Sequence, residues 1–396
     1  DLDNFKFVND TKGHHIGDAL LRKITELFSN YIVKDDLVGR LGGDEFALVI
    51  QRELTKDELI EYIGGIKNLI AQPIILDGEE ITISASFGVA TYPEDAKTAS
   101  ELLKYADIAM YQVKYSGKNG ICFFHKSMNE EMLEKIELEN QLTNALQNNE
   151  LYLVYQPQYF LDKKVLYGFE ALTRWNSERF GIVSPAKFIP IAEEAGFIIS
   201  MGEWILKTAC EEAVKIKDIY KFTPRISVNI SAVQIMHPDF LDKVQRIIDS
   251  TGIDTTSLEF EITESIFISS MQYVVDILHK VRALGILISL DDFGTGYSSL
   301  SYLQMLPIDI LKIDKSFVDK IDDASDKKQI VGALIDLMHQ LDLKVVAEGV
   351  EKDSQLDYLR EHNCDIIQGY IWGKPQSIEE IYKVIETSRE NKTELD

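Results

Sequence analysis

The sequence predicts an α/β chain: a TIM-type (β/α)₈ barrel over its C-terminal two-thirds, preceded by a smaller α+β unit and joined to it by a helix. Three observations carry this. Eight short apolar runs alternate with longer amphipathic segments from about Leu151 onward. Nearly every run ends in a residue of metal-ligand or acid-base type. The stretch also has the roughly 250 residues that such a barrel takes.

In the first unit, Asp1 and Asp3 open the chain in DLDNFKFVND, and a GHHIGD loop carrying Asp18 follows. His14 and His15 read as loop residues, since no third nitrogen or sulfur ligand lies at suitable spacing. LVGRL-GGDE-FALVI reads as two strands joined by a turn. Gly42 and Gly43 supply the positive φ of a tight hairpin, which displays Asp44 and Glu45 at its tip.

From Ser127 to Asn148 the chain has few breakers and opens on a capping box of Ser127 and Glu130, so it reads as a helix. Met128, Met132 and Ile136 recur at four-residue spacing, and Leu138, Leu142 and Leu146 form a second series. Two readings stand: a connector that transmits change or pairs with its twin, and a spacer packed on the barrel.

The barrel runs follow in order. LYLVYQ ends at Gln156, VLYGFEALTRW carries Glu170 and Arg174, and RISVNIS carries Asn229. LEFEITES holds Glu261 and Glu264, ILISLDD holds Asp291 and Asp292, and ILKID holds Lys312 and Asp314. KVVAEGVE brings Glu348 and Glu351, and DIIQGY brings Gln368. Leu303 to Ile313, LQMLPIDILKI, reads as core and subunit contact.

Barrels place reactive groups at the carboxyl ends of their strands. Glu170, Asn229, Glu261 and Asp291 come from four different strands and would converge at one rim. Three carboxylates and an amide oxygen suit Mg²⁺ or Mn²⁺. Asp291 and Asp292 are adjacent, and on a regular strand they would face opposite ways, so both reach one site only where the strand gives way to a loop. Gly294 and Gly296 supply that loop. Such a site suits in-line hydrolysis of a phosphodiester, with Lys312 stabilising the attacking hydroxide and Asp292 accepting its proton.

At these positions the chain closely resembles the EAL family of cyclic di-GMP phosphodiesterases, whose name is spelled by Glu170-Ala171-Leu172. EALTRW, SVNIS, EITES, DDFGTGYSSL, KID, AEGVE and QGY occur in the family's order between about Leu151 and Ile385. The resemblance implies two Mg²⁺ or Mn²⁺ ions per site, held by Glu170, Asn229, Glu261, Asp291 and Asp292. It gives Lys312 the orientation of the attacking water and Glu348 a ligand or nearby supporting contact. Glu351 and Gln368 would support the metal-water and substrate side, and Glu264 would anchor the loop from Asp292 to Ser299. Gln156, Leu172 and Arg174 would contact base and phosphate. The implied product is linear pGpG.

The first unit resembles the GGDEF family of diguanylate cyclases over Asp1 to about Phe124. Its implied architecture is palm-like, with Asp1 and Asp44 as metal carboxylates and GTP as ligand. Asn9 and Asp18 would contact guanine. Gly42, Gly43 and Glu45 would line the nucleotide, and Lys114 and Lys118 would bind phosphate. Two departures stand out. Lys118 replaces the family's usual Arg and loses the bidentate fork. Val33 occupies the position, three residues before Asp36, where the remote product site asks for Arg. The chain also opens where the family's first strand ends, so the unit reads as missing its N-terminal part.

The expected division is therefore 1–124, a helical connection over 125–148, and 149–396. A net charge of −24 excludes long nucleic acid as a partner. Three scattered cysteines form no ligand pair and suggest a reducing cytoplasm, and no run approaches the roughly 20 apolar residues of a membrane span. An upstream sensor or membrane anchor is left open. Cyclic di-GMP and GTP are the expected ligands, with a homodimer as the expected assembly. A receptor that holds the dinucleotide without cleaving it, and a chain that is chiefly a cyclase, are the alternatives.

Overall fold

Period-2 alternation in the apolar runs becomes a closed sheet, and 3.6-residue periodicity in the segments between them becomes the helices around it. The structure is a computed structural model that describes residues 1–293, 303, 305–322 and 328–393. Two compact units divide between Glu137 and Leu138.

The first unit is α+β, built from four two-stranded pairings. β1 (Leu2–Asp3) pairs with β6 (Ser84–Ala85), and β2 (Leu37–Gly42) pairs with β3 (Glu45–Val49). β4 (Ile74–Leu76) pairs with β5 (Glu79–Ile81), while β7 (Phe87–Val89) runs parallel to β8 (Ile121–Phe123). The helix His14–Tyr31 turns Ile16, Leu20, Ile24 and Phe28 inward at four-residue spacing, onto Ile66 and Ile70 of the helix Lys56–Ile70. Thr55 with Glu58 and Thr98 with Glu101 form capping boxes at the helices Lys56–Ile70 and Ala99–Tyr115.

Three expectations for this unit are corrected. GHHIGD is not a loop: Gly13, at φ 87°, breaks the chain between the helices Phe5–Lys12 and His14–Tyr31, so His14, His15 and Asp18 are helical. Of the paired glycines only Gly43 has positive φ, 51°. Gly42 is the last residue of β2 and pairs with Glu45, leaving a two-residue turn of Gly43 and Asp44. The connecting helix spans Lys126–Ala145, and its N-terminus is capped by His125, whose Nδ1 accepts from Ser127 N–H at 3.4 Å. Ser127 is therefore inside the first turn. The helix adds Met128 and Met132 to a cluster with Ile108, Ala109 and Phe124, and Leu138, Leu142 and Ala145 to the second unit's core. Ile136 is exposed.

The second unit closes eight strands into a barrel in the order β10 (Val165–Ser177), β12 (Arg225–Asn229), β13 (Leu258–Thr263), β14 (Leu287–Phe293), β15 (Ile310–Ile313), β16 (Lys344–Ala347), β17 (Ile366–Gln368) and β9 (Leu151–Phe160), which returns to β10. β11 (Gly181–Val183) extends β10 as a hairpin. β9 is antiparallel to both neighbours, so the barrel departs from eight parallel strands. Only Leu161 to Lys164 separate β9 from β10, too few for the crossover that parallel strands need.

Alternation fixes what faces inward. Phe169, Ala171, Trp175, Phe260, Ile262, Ile288, Leu290, Leu311, Ile313 and Val345 pack outward against the helices. The opposite phase carries Glu170, Glu261, Asp291, Lys312 and Gln368. Below them Tyr167, Ile310, Val346 and Ile366 form an apolar plug. Leu303, Ile308, Ile310, Leu311 and Ile313 are buried as core, whereas Met305 is exposed. Among the described residues no helix is long and apolar enough to cross a membrane.

Candidate active site

Lys312 organises the barrel's carboxyl-end rim. Its ammonium lies 2.6 Å from Glu261 Oε2, 2.6 Å from Glu348 Oε1, 3.2 Å from Asp291 Oδ2 and 3.8 Å from Glu170 Oε2. The side chain is 1% exposed, so burial alone would drive off its proton; the four carboxylates outweigh that and hold its pKa well above the ordinary value. Glu348 is pushed up to about 8 by burial, with Asp291 and Glu170 adding to the effect and Lys312 opposing it. Burial and the neighbouring Glu170 charge likewise raise Glu261. For Glu170 burial works against ionisation, but Lys312 and the hydrogen bonds from Gln368 and Asn229 prevail and lower its pKa.

Glutamines aim the Glu170 carboxylate. Gln368 Nε2 donates to Glu170 Oε2 at 2.6 Å and to Gln156 Oε1 at 3.1 Å, while Gln158 Nε2 donates to Gln368 Oε1 at 2.8 Å. Gln158, 1% exposed, escaped the sequence reading, although in YQPQY it shares the inward phase of Gln156. Gln156 also donates Nε2 to the Gly373 carbonyl at 3.2 Å, so both ends of its amide are engaged within the protein. Asn229 Nδ2 donates to Glu170 Oε1 at 2.7 Å, which leaves its carbonyl oxygen, the harder ligand atom, for a cation.

The adjacent aspartates sit on a bulge. β14 continues through them to Phe293, and its ladder with β15 steps from Leu290↔Leu311 to Phe293↔Ile313, one residue longer on the β14 side. A bulge re-aims side chains, which is how neighbouring residues escape strict alternation. The side chain of Asp292, and Gly294, Gly296 and Ser299 of the following loop, lie outside the described residues. Glu264 begins the turn Glu264–Ile266. Glu351 is not in the Lys312 cluster: its Oε1 accepts from Lys315 Nζ at 3.0 Å on the surface. Leu172 and Arg174 continue the inward face of β10, and Arg174 Nη1 donates to the Thr173 carbonyl at 2.9 Å.

The donor set fits hard divalent cations. One ammonium faces four carboxylates, leaving the cluster short of positive charge, and among the described residues the buried Glu261 Oε1 finds no hydrogen-bond partner. Among the described residues no three His, Cys, Asp or Glu side chains are arranged to hold an ion by themselves; the carboxylates are drawn onto Lys312 instead. All ligand atoms are oxygens, as Mg²⁺ and Mn²⁺ prefer.

The first unit gathers its own acidic group. Asp1 Oδ1 pairs with Lys114 Nζ at 2.8 Å. Buried Asp3 accepts from the Ser84 and Ser86 hydroxyls, both at 2.7 Å, and from Asn119 N–H at 3.0 Å. Lys118 Nζ donates to Asn4 Oδ1 at 2.7 Å. A Cβ on Gly17 would stand 1.9 Å from Asn9 Oδ1, so this glycine makes room for the Asn9 amide beside Asp18. The Asp44 carbonyl accepts from Leu2 N–H at 3.3 Å, bringing the hairpin turn to β1, and exposed Glu45 follows it.

A barrel with a carboxylate-rich rim gathered on a buried lysine defines a class of oxygen-ligand, cation-assisted sites. Residues 139–375 match the EAL domain, and residues 1–120 match the diguanylate cyclase GGDEF domain. The chain belongs to the EAL family and carries a GGDEF domain ahead of it. It is 40% identical over 381 residues to the bifunctional diguanylate cyclase/cyclic di-GMP phosphodiesterase MucR of Pseudomonas aeruginosa, covering 96% of this chain and 56% of that protein. To the cyclic di-GMP phosphodiesterase NbdA of the same organism it is 36% identical, covering 95% of this chain and 48% of that one. The chain thus spans about half the length of these curated relatives. Among solved structures, the MucR phosphodiesterase in complex with c-di-GMP aligns with a TM-score of 0.59 at 37% identity, over 62% of this chain and 99% of that one. The EAL domain of Mycobacterium smegmatis DcpA aligns with a TM-score of 0.52 at 30% identity, over 61% and 97%.

Proposed function

We propose that the barrel hydrolyses cyclic di-GMP to linear pGpG with the help of Mg²⁺ or Mn²⁺. The observation that carries this is the Lys312 ammonium set among Glu170, Glu261, Asp291 and Glu348. Glu170, Asn229, Glu261, Asp291 and Asp292 would hold the cations. When bound, these supply acidified water and neutralise charge developing on the phosphoryl oxygens.

The protein's own groups do the rest. Lys312 holds the attacking oxygen by donating to it, and the water's proton passes to a rim carboxylate. As oxygen bonds to phosphorus, one ring P–O bond breaks and its 3′ oxygen takes up a proton, so the ring opens to a linear product. Gln368 and Gln156 fix Glu170, and Arg174, which pairs with no carboxylate among the described residues, neutralises phosphate. Glu348 and Glu264 support the rim, and Leu172 lines it. Glu351 acts at a distance, through Lys315.

In this reading the GGDEF domain, over 1–124, binds GTP through Asn9, Asp18, Gly42, Gly43, Glu45, Lys114 and Lys118, with Asp1 and Asp44 as metal carboxylates. It regulates the barrel domain of 149–396 through the 125–148 connection, or retains cyclase activity. The working assembly is a homodimer located in the cytoplasm. The test is incubation of the chain with cyclic di-GMP and Mn²⁺, with products separated by chromatography. Conversion to pGpG that is abolished in a folded Glu170→Ala variant supports the reading, and turnover unchanged in that variant at saturating metal and substrate overturns it.

A further inference from the structure

The antiparallel seam of the barrel carries two inward-facing pairs beyond the acidic cluster. Register sets Gln156 opposite Glu170, Val154 opposite Leu172 and Tyr152 opposite Arg174. Because strand side chains alternate, these three pairs share one face. Leu151, Leu153 and Tyr155 take the other face and pack with Ala171 and Trp175 toward the helices. The inward face is therefore a short ladder that starts at the carboxylate of Glu170 and ends at the mouth with a tyrosine beside a guanidinium.

That last pair is uncommitted in a way its neighbours are not. Tyr152 is 40% exposed, whereas Gln156 is 8% and Glu170 5% exposed. The Tyr152 hydroxyl makes no hydrogen bond among the described residues, and Arg174 is engaged only by the Thr173 carbonyl. An open aromatic face beside a free positive charge suits a ligand that is both aromatic and anionic. Nucleotides have that chemistry: bases stack on aromatic rings irrespective of their hydrogen-bonding edge, and phosphate pairs with guanidinium.

We propose that Tyr152 is a specificity-determining residue whose ring stacks a purine base of the dinucleotide while Arg174, across the seam, holds the adjoining phosphate. The assignment rests on the phosphodiesterase reading above and adds to it a base-recognition contact on β9.

The experiment compares the full chain with Tyr152→Ala, Tyr152→Phe and Tyr152→Trp on two substrates: cyclic di-GMP and bis(p-nitrophenyl) phosphate, a phosphodiester without purines. Stacking predicts that Tyr152→Ala raises KM for cyclic di-GMP about tenfold or more while kcat stays within about twofold. Phe and Trp should restore KM, and hydrolysis of the purine-free diester should not change. A KM unmoved in Tyr152→Ala, or an equal loss on both substrates, overturns the stacking role alone. A parent chain that cleaves bis(p-nitrophenyl) phosphate but neither binds nor cleaves cyclic di-GMP overturns the phosphodiesterase reading, and the stacking role with it.

Discussion

Lys312 Nζ and Glu261 Oε2 meet at 2.6 Å with side-chain exposures of 1% and 0%, an ion pair enclosed by the barrel wall. Burying such a pair costs each partner its hydration, and removing one partner leaves the other charge uncompensated. Lys312→Ala should therefore act on both stability and chemistry. Turnover should fall about 100-fold or more while KM changes little. Thermal melting should show a loss of stability in chelator that Mn²⁺ restores more fully than in the parent. Retained turnover with weakened substrate binding would remove Lys312 from the chemical step.

Gln368 connects Glu170 to Gln156 and Gln158 through one amide. Gln368→Leu keeps the volume but frees the Glu170 carboxylate to rotate. Groups that orient ligands are typically worth about 10- to 100-fold in metal affinity, so Mn²⁺ titration by calorimetry should show a loss of that order. Affinity equal to the parent's would reduce the glutamine chain to packing.

Gly168 lies where β10 passes β12, and an added Cβ would stand 2.4 Å from the Arg225 carbonyl oxygen. Backbone cannot rotate aside as a side chain can. Gly168→Ala should cost about 1–3 kcal/mol by overpacking, read as a lower Tm of the barrel. An unchanged Tm would mean that the two strands separate freely there.

Asp36 is 4% exposed, accepts from Tyr62 Oη at 3.0 Å and Gln51 N–H at 3.3 Å, and faces Arg52 at 3.4 Å. If Val33, in place of a guanidinium, abolishes the remote dinucleotide site, Asp36 serves the fold alone. Asp36→Ala should lower stability by about 1–3 kcal/mol through the donors it strands and leave the number of cyclic di-GMP molecules bound, counted by calorimetry, unchanged. Loss of a tight site in the variant would show that Lys34 substitutes for the missing charge.

If GTP regulates the barrel, the Asn9→Ala, Asp18→Ala double variant should be deaf to it. A coupling free energy of about 1–3 kcal/mol would change apparent substrate affinity roughly 5- to 150-fold in the parent. Hydrolysis measured across a GTP titration decides this: an effect absent from both proteins, or equal in both, ends the regulatory role.

The barrel and its rim were legible because two periodicities and one rule about strand ends carry them. Glu170, Asn229, Glu261, Asp291 and Lys312 could be placed together from the sequence, since each belongs to a different apolar run of one barrel, although in the structure only Asn229 is the last residue of its strand and Glu170 lies mid-strand in β10. The direction of β9 was written in the four residues after it, a length signal that a count of apolar runs overlooks. The helical GHHIGD segment was misread because glycine at 13 does break the chain, but between two helices rather than into a loop. Side-chain choices such as Gln158 on Gln368, or Glu351 on Lys315, depend on distances across the fold that no local pattern encodes.

The reversed β9 has a further bearing on how the barrel is entered. A strand running against its neighbours begins at their carboxyl-end rim: Leu151 pairs with Trp175 near the end of β10, and Glu150 just before it accepts from Trp175 Nε1 at 2.9 Å. The polypeptide is thus threaded into the barrel from its working side. A tug on the backbone ahead of Leu151 would reach Tyr152, Gln156 and then Glu170 within a few residues, without having to cross the apolar plug beneath them.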